Sequence, residues 1–284
     1  MAYRSRHSRY RQSLFPLAAC AQKEVDVIRA SGISVLAGRK RLLDEVDISV
    51  RPGRVTVLIG PNGAGKSTLI SVLAGERKPD DGEVLLDETP LERIASSSLA
   101  RRRAVLLQDS SLDFAFTAEE VVELGRFPYS GTQAQIADAE AIAEAARLTG
   151  IGPFLSRSYQ TLSGGEKQRV QFARAIAQIW RPAGEGEDRY LILDEPTSAL
   201  DLRHQRLTLD IARRLAEEGV GVLAAIHDLN LASAYADDAL LLKGGRVIAA
   251  GGADDVLTAP TLGACFDVEI EILTRINGKR AILV

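Results

Sequence analysis

Short apolar runs alternate with amphipathic stretches along the chain from residue 25 onward. Each run ends in a glycine or a polar residue and has the length of a buried parallel strand. The runs occupy residues 55–60, 103–108, 190–195 and 220–227. Between them, apolar residues recur at helical spacing. Two such sets are Leu207, Ile211 and Leu215, and Ile136, Ala139, Ala143 and Ala146. Alternating strands and helices predict a doubly wound α/β core.

Other parts of the chain have a different pattern. Residues 46–53, 82–88 and 238–251 read as antiparallel strands, the last with a hairpin turn at Gly244 and Gly245. Residues from about 112 to 165 contain helical patterns and no strand candidate. We therefore expect one domain over residues 25–284, with an antiparallel β subdomain and an inserted α-helical subdomain at about 112–165.

Composition limits the class of protein. Of 284 residues, 46% are apolar and 26% are charged, which is ordinary for a globular chain and excludes disordered and collagen-like classes. The net charge of −3 argues against a partner that is nucleic acid. No apolar run approaches the roughly 18 residues that a membrane-spanning helix needs. Cys20 and Cys265 are far apart and form no metal-ligand pattern, so we expect a reduced, cytoplasmic chain.

The first 24 residues differ from the rest, because they carry five basic side chains and one acidic side chain. We interpret residues 1–24 as a basic, disordered extension. A cleaved signal peptide fits less well, since Pro16 interrupts the apolar stretch. Contact with anionic lipid head groups is the third reading of this segment.

A glycine-rich loop follows the first apolar run and precedes an apolar helix. Its spacing is that of a P-loop, in which backbone N–H groups and a lysine bind the phosphates of a nucleoside triphosphate and a serine hydroxyl binds Mg²⁺. The expected nucleotide-binding residues here are Gly60, Pro61, Asn62, Gly63, Ala64, Gly65, Lys66, Ser67 and Thr68.

Two carboxylates, Asp194 and Glu195, end the apolar run at residues 190–195. Ligands of open α/β sheets bind at the carboxyl ends of strands. We expect Asp194 to hold Mg²⁺ together with Ser67, and Glu195 to polarise the water that attacks the γ-phosphate. His227 ends another apolar strand and is expected beside them.

A second glycine-rich helix start lies at Ser163, Gly164 and Gly165. One chain with one nucleotide has no obvious need for two anion cradles. A two-fold homodimer would resolve this, because each nucleotide could lie between the P-loop of one subunit and the second cradle of its partner.

With these motifs, the chain from about residue 26 to the C-terminus resembles the ATP-binding cassette subunits of ABC transporters. In family terms, residues 60–68 match Walker A, 163–168 the signature, 191–195 Walker B and 198–201 the D-loop. The resemblance implies ATP hydrolysis with Mg²⁺. It also implies that Gln108 is the Q-loop glutamine, which contacts Mg²⁺ and water, that Asp201 communicates across the dimer, and that His227 contacts the γ-phosphate.

One departure from the family concerns recognition of the adenine base of ATP. An aromatic residue that stacks on adenine usually precedes Walker A, whereas this chain has Ser34 and Val35 in that neighbourhood. Phosphate contacts should outweigh the lost stacking, which is worth about 1–3 kcal/mol. We therefore expect ATP binding with modest base selectivity.

The chain has one set of motifs, no spanning segment and no long coiled coil, which favours an importer subunit over a soluble regulatory or repair ATPase. Residues 121–129 are similar to a segment of the subunits that energise uptake of haem, cobalamin and ferric siderophores, although Tyr129 replaces the usual His. Within that group, residues 195–205 and the loop at 180–189 are most similar to hemin importers. The resemblance implies two transmembrane permease subunits, a periplasmic substrate-binding protein and a peripheral position on the cytoplasmic side of the inner membrane. We expect the aromatic residues Phe114, Phe116, Phe127 and Tyr129 to divide between a subdomain core and a permease-docking surface.

Overall fold

The computed structural model describes residues 27–108, 115–180, 187–274 and 280–284. The basic extension, Phe114 and most of the loop at 180–189 lie outside the described residues. The strands are β1 Ile28–Ala37, β2 Lys40–Val50, β3 Val55–Ile59, β4 Asp81–Leu86, β5 Thr89–Pro90, β6 Arg103–Leu106, β7 Tyr190–Asp194, β8 Gly221–Ala225, β9 Asp238–Lys243, β10 Arg246–Gly252, β11 Glu271–Thr274 and β12 Arg280–Leu283.

The helices connect and cover these strands. They are α1 Lys66–Leu73, α2 Ser96–Arg102, α3 Ala118–Glu123, α4 Asp138–Thr149, α5 Gly164–Ile179, α6 Leu202–Glu217, α7 Leu229–Tyr235, α8 Ala253–Val256 and α9 Ala259–Phe266. Short 3₁₀ segments include Leu124–Tyr129, Gln133–Ala137 and Tyr159–Thr161. No helix in the described ranges combines the length and the apolar character needed to cross a membrane.

Six strands form the central sheet in the order β10-β9-β3-β8-β7-β6. The five strands from β9 to β6 pair in parallel, and β10 pairs antiparallel with β9. The four apolar runs are therefore parallel strands, as predicted. The hairpin at Gly244 and Gly245 is also confirmed, although β9 belongs to the parallel sheet on its other side.

A second sheet, β2-β1-β4-β5, is antiparallel throughout. Alternate residues of the central strands face the two hydrophobic cores. In β7, Leu191 and Leu193 face the core that contains α3, α5 and α6, whereas Tyr190 and Ile192 face the core shared with α1 and the antiparallel sheet. Burial on both faces explains why the central strands are continuous apolar runs.

The described residues between β6 and β7 contain helices and no strand. They hold α3, α4 and α5, and one isolated antiparallel bridge between Thr117 and Ser158. Thr117 caps α3, and Ser163 caps α5 by exchanging hydrogen bonds with Glu166. These side chains satisfy backbone N–H groups that the helices leave without partners.

Two helical faces had been predicted from sequence. In α6, Ile211 and Leu215 are buried as expected. The prediction for α4 is wrong at three of its four positions. Ile136 is 86% exposed in a 3₁₀ segment before the helix, and Ala139 and Ala143 are exposed, whereas Ala146 is buried as predicted. The other buried residues of this helix are Ala141, Ala145 and Thr149. In a stretch so rich in alanine, the apolar pattern does not distinguish one face from another.

A buried carboxylate fixes the start of β9. Asp238 accepts hydrogen bonds from Arg51 at 2.9 Å and from Arg54 at 2.6 Å. This pairing raises the pKa of Arg54 further above its ordinary value, against the effect of burial.

We expect Asp238→Ala to lower the free energy of unfolding by about 1–2 kcal/mol, because two arginines lose their shared acceptor while remaining half-exposed. Urea denaturation measures this. The control is Glu218→Ala, which removes an exposed ion pair with Arg214 and should cost less than about 0.5 kcal/mol. Equal losses in the two variants would contradict the importance given to Asp238.

Candidate active site

The loop between β3 and α1 is built by close backbone packing. A Cβ atom on Gly60 would lie 2.1 Å from the carbonyl oxygen of Leu242, so only glycine fits there. Gly65 precedes α1 with φ of 107°, a left-handed conformation that favours glycine. Gly245 donates its N–H to the carbonyl oxygen of Ala64 at 2.9 Å and so joins the β9–β10 turn to the loop.

Lys66 lies inside this loop. Its Nζ donates to the carbonyl oxygens of Gly60 at 2.8 Å and Pro61 at 3.3 Å, and the residue is only 6% exposed. Burial lowers the pKa of Lys66, while the nearby carboxylates of Glu195 and Asp194 act in the opposite direction. The ammonium is therefore a buried positive charge held by two backbone carbonyl oxygens.

Asp194 ends β7 beside the loop and is 4% exposed. Burial raises its pKa, and a hydrogen bond from the Ser67 hydroxyl partly offsets this effect. Its Oδ1 is buried and receives no hydrogen bond from the described part of the chain. A buried carboxylate oxygen without a donor, next to a serine hydroxyl, suits a small divalent cation.

Glu195, the next residue, collects side chains from two neighbouring strands. Gln108, which follows β6, donates its Nε2 to Oε2 of Glu195 at 3.0 Å. His227, which follows β8, places its Nε2 against Oε1 of the same carboxylate. The three residues expected from sequence to be catalytic thus meet at one carboxylate.

A cleft of about 730 Å³ joins these groups to the glycine-rich loop. Of the predicted residues, Gln108, Glu195 and His227 line it together with Asn62, Gly63, Gly65, Lys66, Ser67 and Thr68. Gly60, Pro61 and Ala64 do not line this cleft. Their carbonyl oxygens accept the hydrogen bonds from Lys66 and Gly245 given above.

Sequence reasoning missed one wall of the cleft. Lys40, Arg41 and Leu42 line it from the start of β2, and Gly244 and Gly245 line it from the hairpin turn. The signal available in the sequence was the basic cluster after Gly38. Val35 is fully buried, and Ser34 accepts a hydrogen bond from the N–H of Glu45, so neither forms the wall. No Tyr, Phe or Trp among the described residues lines the cleft.

Ser163, Gly164 and Gly165 lie at the start of α5, outside this cleft. Gly164 instead lines a separate cavity of about 220 Å³, which Gln108 and Ser198 also line. Asp201 caps α6 and accepts hydrogen bonds from the backbone N–H and the ring of His204. His204 therefore has a defined partner in Asp201.

Comparisons with known proteins agree with this geometry. The family described as ABC transporter matches residues 43–198. The hemin import ATP-binding protein HmuV of Hahella chejuensis is 45% identical, over 87% of this chain and 95% of that protein. This chain belongs to the ABC transporter family.

Solved structures share the fold of this ABC transporter cassette. An ABC transporter in an inward-facing conformation has a TM-score of 0.74 at 23% identity, over 91% of this chain and 96% of that one. The dimeric structure of a bacterial ABC transporter cassette has a TM-score of 0.69 at 27% identity, over 80% of this chain and 98% of that one. The chain therefore has the predicted fold class and binds nucleotide as its family does.

The buried Asp194 carboxylate should reduce the stability of the nucleotide-free cassette at neutral pH. We expect Asp194→Asn to raise the free energy of unfolding by about 1 kcal/mol, because a neutral amide costs less to bury than a carboxylate. Thermal melting without nucleotide or divalent cation measures the change.

Asp201→Asn is the matched control. A hydrogen bond from the N–H of His204 lowers the pKa of Asp201, so its charged form is stabilised in the fold and neutralising it should not raise the melting temperature. An Asp194→Asn variant that melts below the wild-type protein would refute the interpretation.

Proposed function

We propose that this cassette is the ATP-hydrolysing subunit of a hemin import complex. ATP hydrolysis is supported by one observation: Gln108 and His227 both contact the Glu195 carboxylate, in the cleft that Lys66 also lines. The cargo follows from relatives, several of which are named hemin import ATP-binding proteins at 43–46% identity. Ferric siderophore or cobalamin import is the alternative within the same group.

In this proposal the loop at residues 60–68 binds the phosphates of ATP. Lys66 exchanges its carbonyl partners for β- and γ-phosphate oxygens, and the N–H groups at the start of α1 face the same anion. Ser67, Gln108 and Asp194 would hold Mg²⁺, for which the unpartnered Oδ1 of Asp194 and the Ser67 hydroxyl provide oxygen ligands. Bound Mg²⁺ supplies positive charge that stabilises the phosphates during transfer.

Glu195 acts on the attacking water as a hydrogen-bond acceptor and base. Gln108 and His227 hold its two carboxylate oxygens, so the side chain is oriented before nucleotide arrives. We propose that on binding ATP the imidazole of His227 turns from Glu195 to the γ-phosphate. Because these two contacts already restrict the side chain of Glu195, it loses less conformational freedom when it reaches the reactive geometry.

A homodimer would complete the site. The signature residues Ser163, Gly164 and Gly165 are at an exposed helix start away from the cleft of their own chain. There they are available to a nucleotide bound by a second copy, and the dimeric structure of a similar cassette supports a homodimer. Asp201 would lie near the same interface.

The permease partner would dock on the helical part of the chain. We propose that residues from about 112 to 165 move as a helical subdomain within the domain at 25–284. Of the aromatic residues predicted to divide between core and surface, Tyr129 is 5% exposed and bonds to the carbonyl oxygen of Gln178, whereas Phe127 is 77% exposed. Phe127, Leu124 and Ile136 are large apolar side chains of this region that are exposed and therefore available for docking.

The complete assembly would contain two cassettes, two transmembrane permease subunits and a periplasmic substrate-binding protein. The cassettes would lie on the cytoplasmic side of the inner membrane. ATP would close the dimer, and hydrolysis with phosphate release would reopen it and reset the permease.

Glu195→Gln should retain ATP and lower turnover by at least about a hundredfold, because the amide cannot accept the proton of the attacking water. With ATP, the variant should accumulate as a dimer. Phosphate release and light scattering measure these two properties. Glu217→Gln, an exposed substitution on α6, serves as control; near-normal turnover of the Glu195 variant would refute the assigned base.

Phe127→Ser should uncouple the cassette from its permease. In a reconstituted complex we expect the hemin-stimulated part of ATP turnover to fall about tenfold, because a large apolar side chain at an interface centre contributes strongly to binding. Turnover by the free cassette should not change. Leu273→Ser removes an exposed apolar side chain on β11 and should have neither effect. If both variants stayed coupled, Phe127 would lie outside the docking surface.

A further inference from the structure

The first turns of α5 pack against the turn that follows β7 in the same chain. A Cβ atom on Gly165 would lie 3.3 Å from the carbonyl oxygen of Ala199, so the helix and the turn are in direct contact. One side chain, Gln168, crosses this contact: its Nε2 donates to the backbone carbonyl oxygen of Glu195 at 3.3 Å. Gln168 therefore connects the signature helix to the residue that carries the proposed base.

The backbone of Glu195 needs such support. Its φ is 50°, in the left-handed region, which is unfavourable for a residue with a side chain. Its carbonyl oxygen accepts from the N–H of Ser198 at 3.2 Å and from the Ser198 hydroxyl at 3.1 Å. Gln168 adds a third donor, and this one comes from a different element of the fold.

The orientation of the Gln168 amide is determined by its surroundings. Exchanging its nitrogen and oxygen would place Oε1 against the carbonyl oxygen of Glu195, two acceptors without a proton between them. In the observed orientation Oε1 is buried and accepts no hydrogen bond from the described residues. The amide thus leaves its oxygen without a hydrogen bond while its nitrogen donates to Glu195. The bond to Glu195 therefore determines the orientation of the amide.

The same backbone conformation directs the Glu195 carboxylate to Gln108 and His227. A shift of the turn would move the carboxylate relative to both partners. Small displacements of a reacting group are costly, because catalysis requires near-contact geometry. The support that Gln168 gives to the Glu195 carbonyl therefore bears on the rate of hydrolysis more than on nucleotide affinity.

We propose that Gln168 is a positioning residue that transmits nucleotide occupancy from the signature of a chain to the Glu195 of that same chain. The inference rests on the proposed ATPase function and homodimer. Gly165 and Gln168 are three residues apart on one helix. An anion bound at the start of the helix would therefore affect the position of both residues. Nucleotide held by the partner subunit at this signature would then set the geometry for hydrolysis in this chain's own cleft. The two sites of the dimer become coupled through a bond inside each chain.

The test compares ATP turnover and ATP affinity in the wild-type dimer and in Gln168 variants. Gln168→Leu and Gln168→Glu both remove the donor, and the second preserves length if the first fails to fold. We expect kcat to fall about tenfold while Kd for ATP stays within about twofold. The Hill coefficient for ATP turnover should fall towards one. Gln168→Lys keeps a donor and should recover most of the lost kcat.

Gln171→Leu is the matched control, because Gln171 is another buried amide on α5 that donates to the Tyr159 hydroxyl at 3.0 Å and not to Glu195. It should keep both kcat and cooperativity once folding is confirmed by thermal melting. The proposal is overturned if the donor-lacking variants keep kcat, if their Kd rises in proportion, or if Gln171→Leu loses as much. Absence of ATP turnover in the wild-type protein would instead refute the proposed function.

Discussion

Parallel hydrogen bonding among β6, β7, β8 and β3 is the constraint on which the site depends. Leu106 of β6 lies opposite Leu193 of β7, and Asp194 of β7 lies opposite Ala225 of β8, which in turn pairs with Leu58 of β3. The four strands therefore end at nearly the same level. Each strand is followed within two residues by one functional group: an amide, a carboxylate, an imidazole or the glycine-rich loop. Strand pairing alone therefore brings these four groups together.

The site contains local features that oppose stability. Asp194 is a buried carboxylate with an unpartnered oxygen, Lys66 is a buried ammonium, and Glu195 has an unfavourable backbone conformation. The surrounding sheet tolerates them because its inner strands β3, β7 and β8 are buried at every position. Departures of this kind from ordinary folding rules are expected where a protein has to bind or react.

Most of the central sheet could be predicted from sequence, because strands buried on both faces leave continuous apolar runs. The proximity of Glu195 and His227 to Lys66 followed from strand ends alone. The Lys40–Leu42 wall could not be predicted, because it depends on how the antiparallel sheet meets a turn some 200 residues later in the chain. Three of the four positions predicted for the α4 face were wrong, because alanine gives little contrast between faces. The bond from Gln168 to Glu195 is equally invisible in sequence, since it depends on a backbone carbonyl.

The phosphate-binding loop packs against two distant stretches of the chain, the start of β2 and the β9–β10 hairpin. Asp44 donates its N–H to the carbonyl oxygen of Gly245, Gly245 donates to Ala64, and Gly60 packs on Leu242. During synthesis the loop and its helix leave the ribosome long before β9 and β10 exist, although domains generally fold as units. The nucleotide site of a growing chain therefore stays incomplete until residues near 246 have emerged. A nucleotide that binds only the completed site would stabilise the chain only after β9 and β10 are in place.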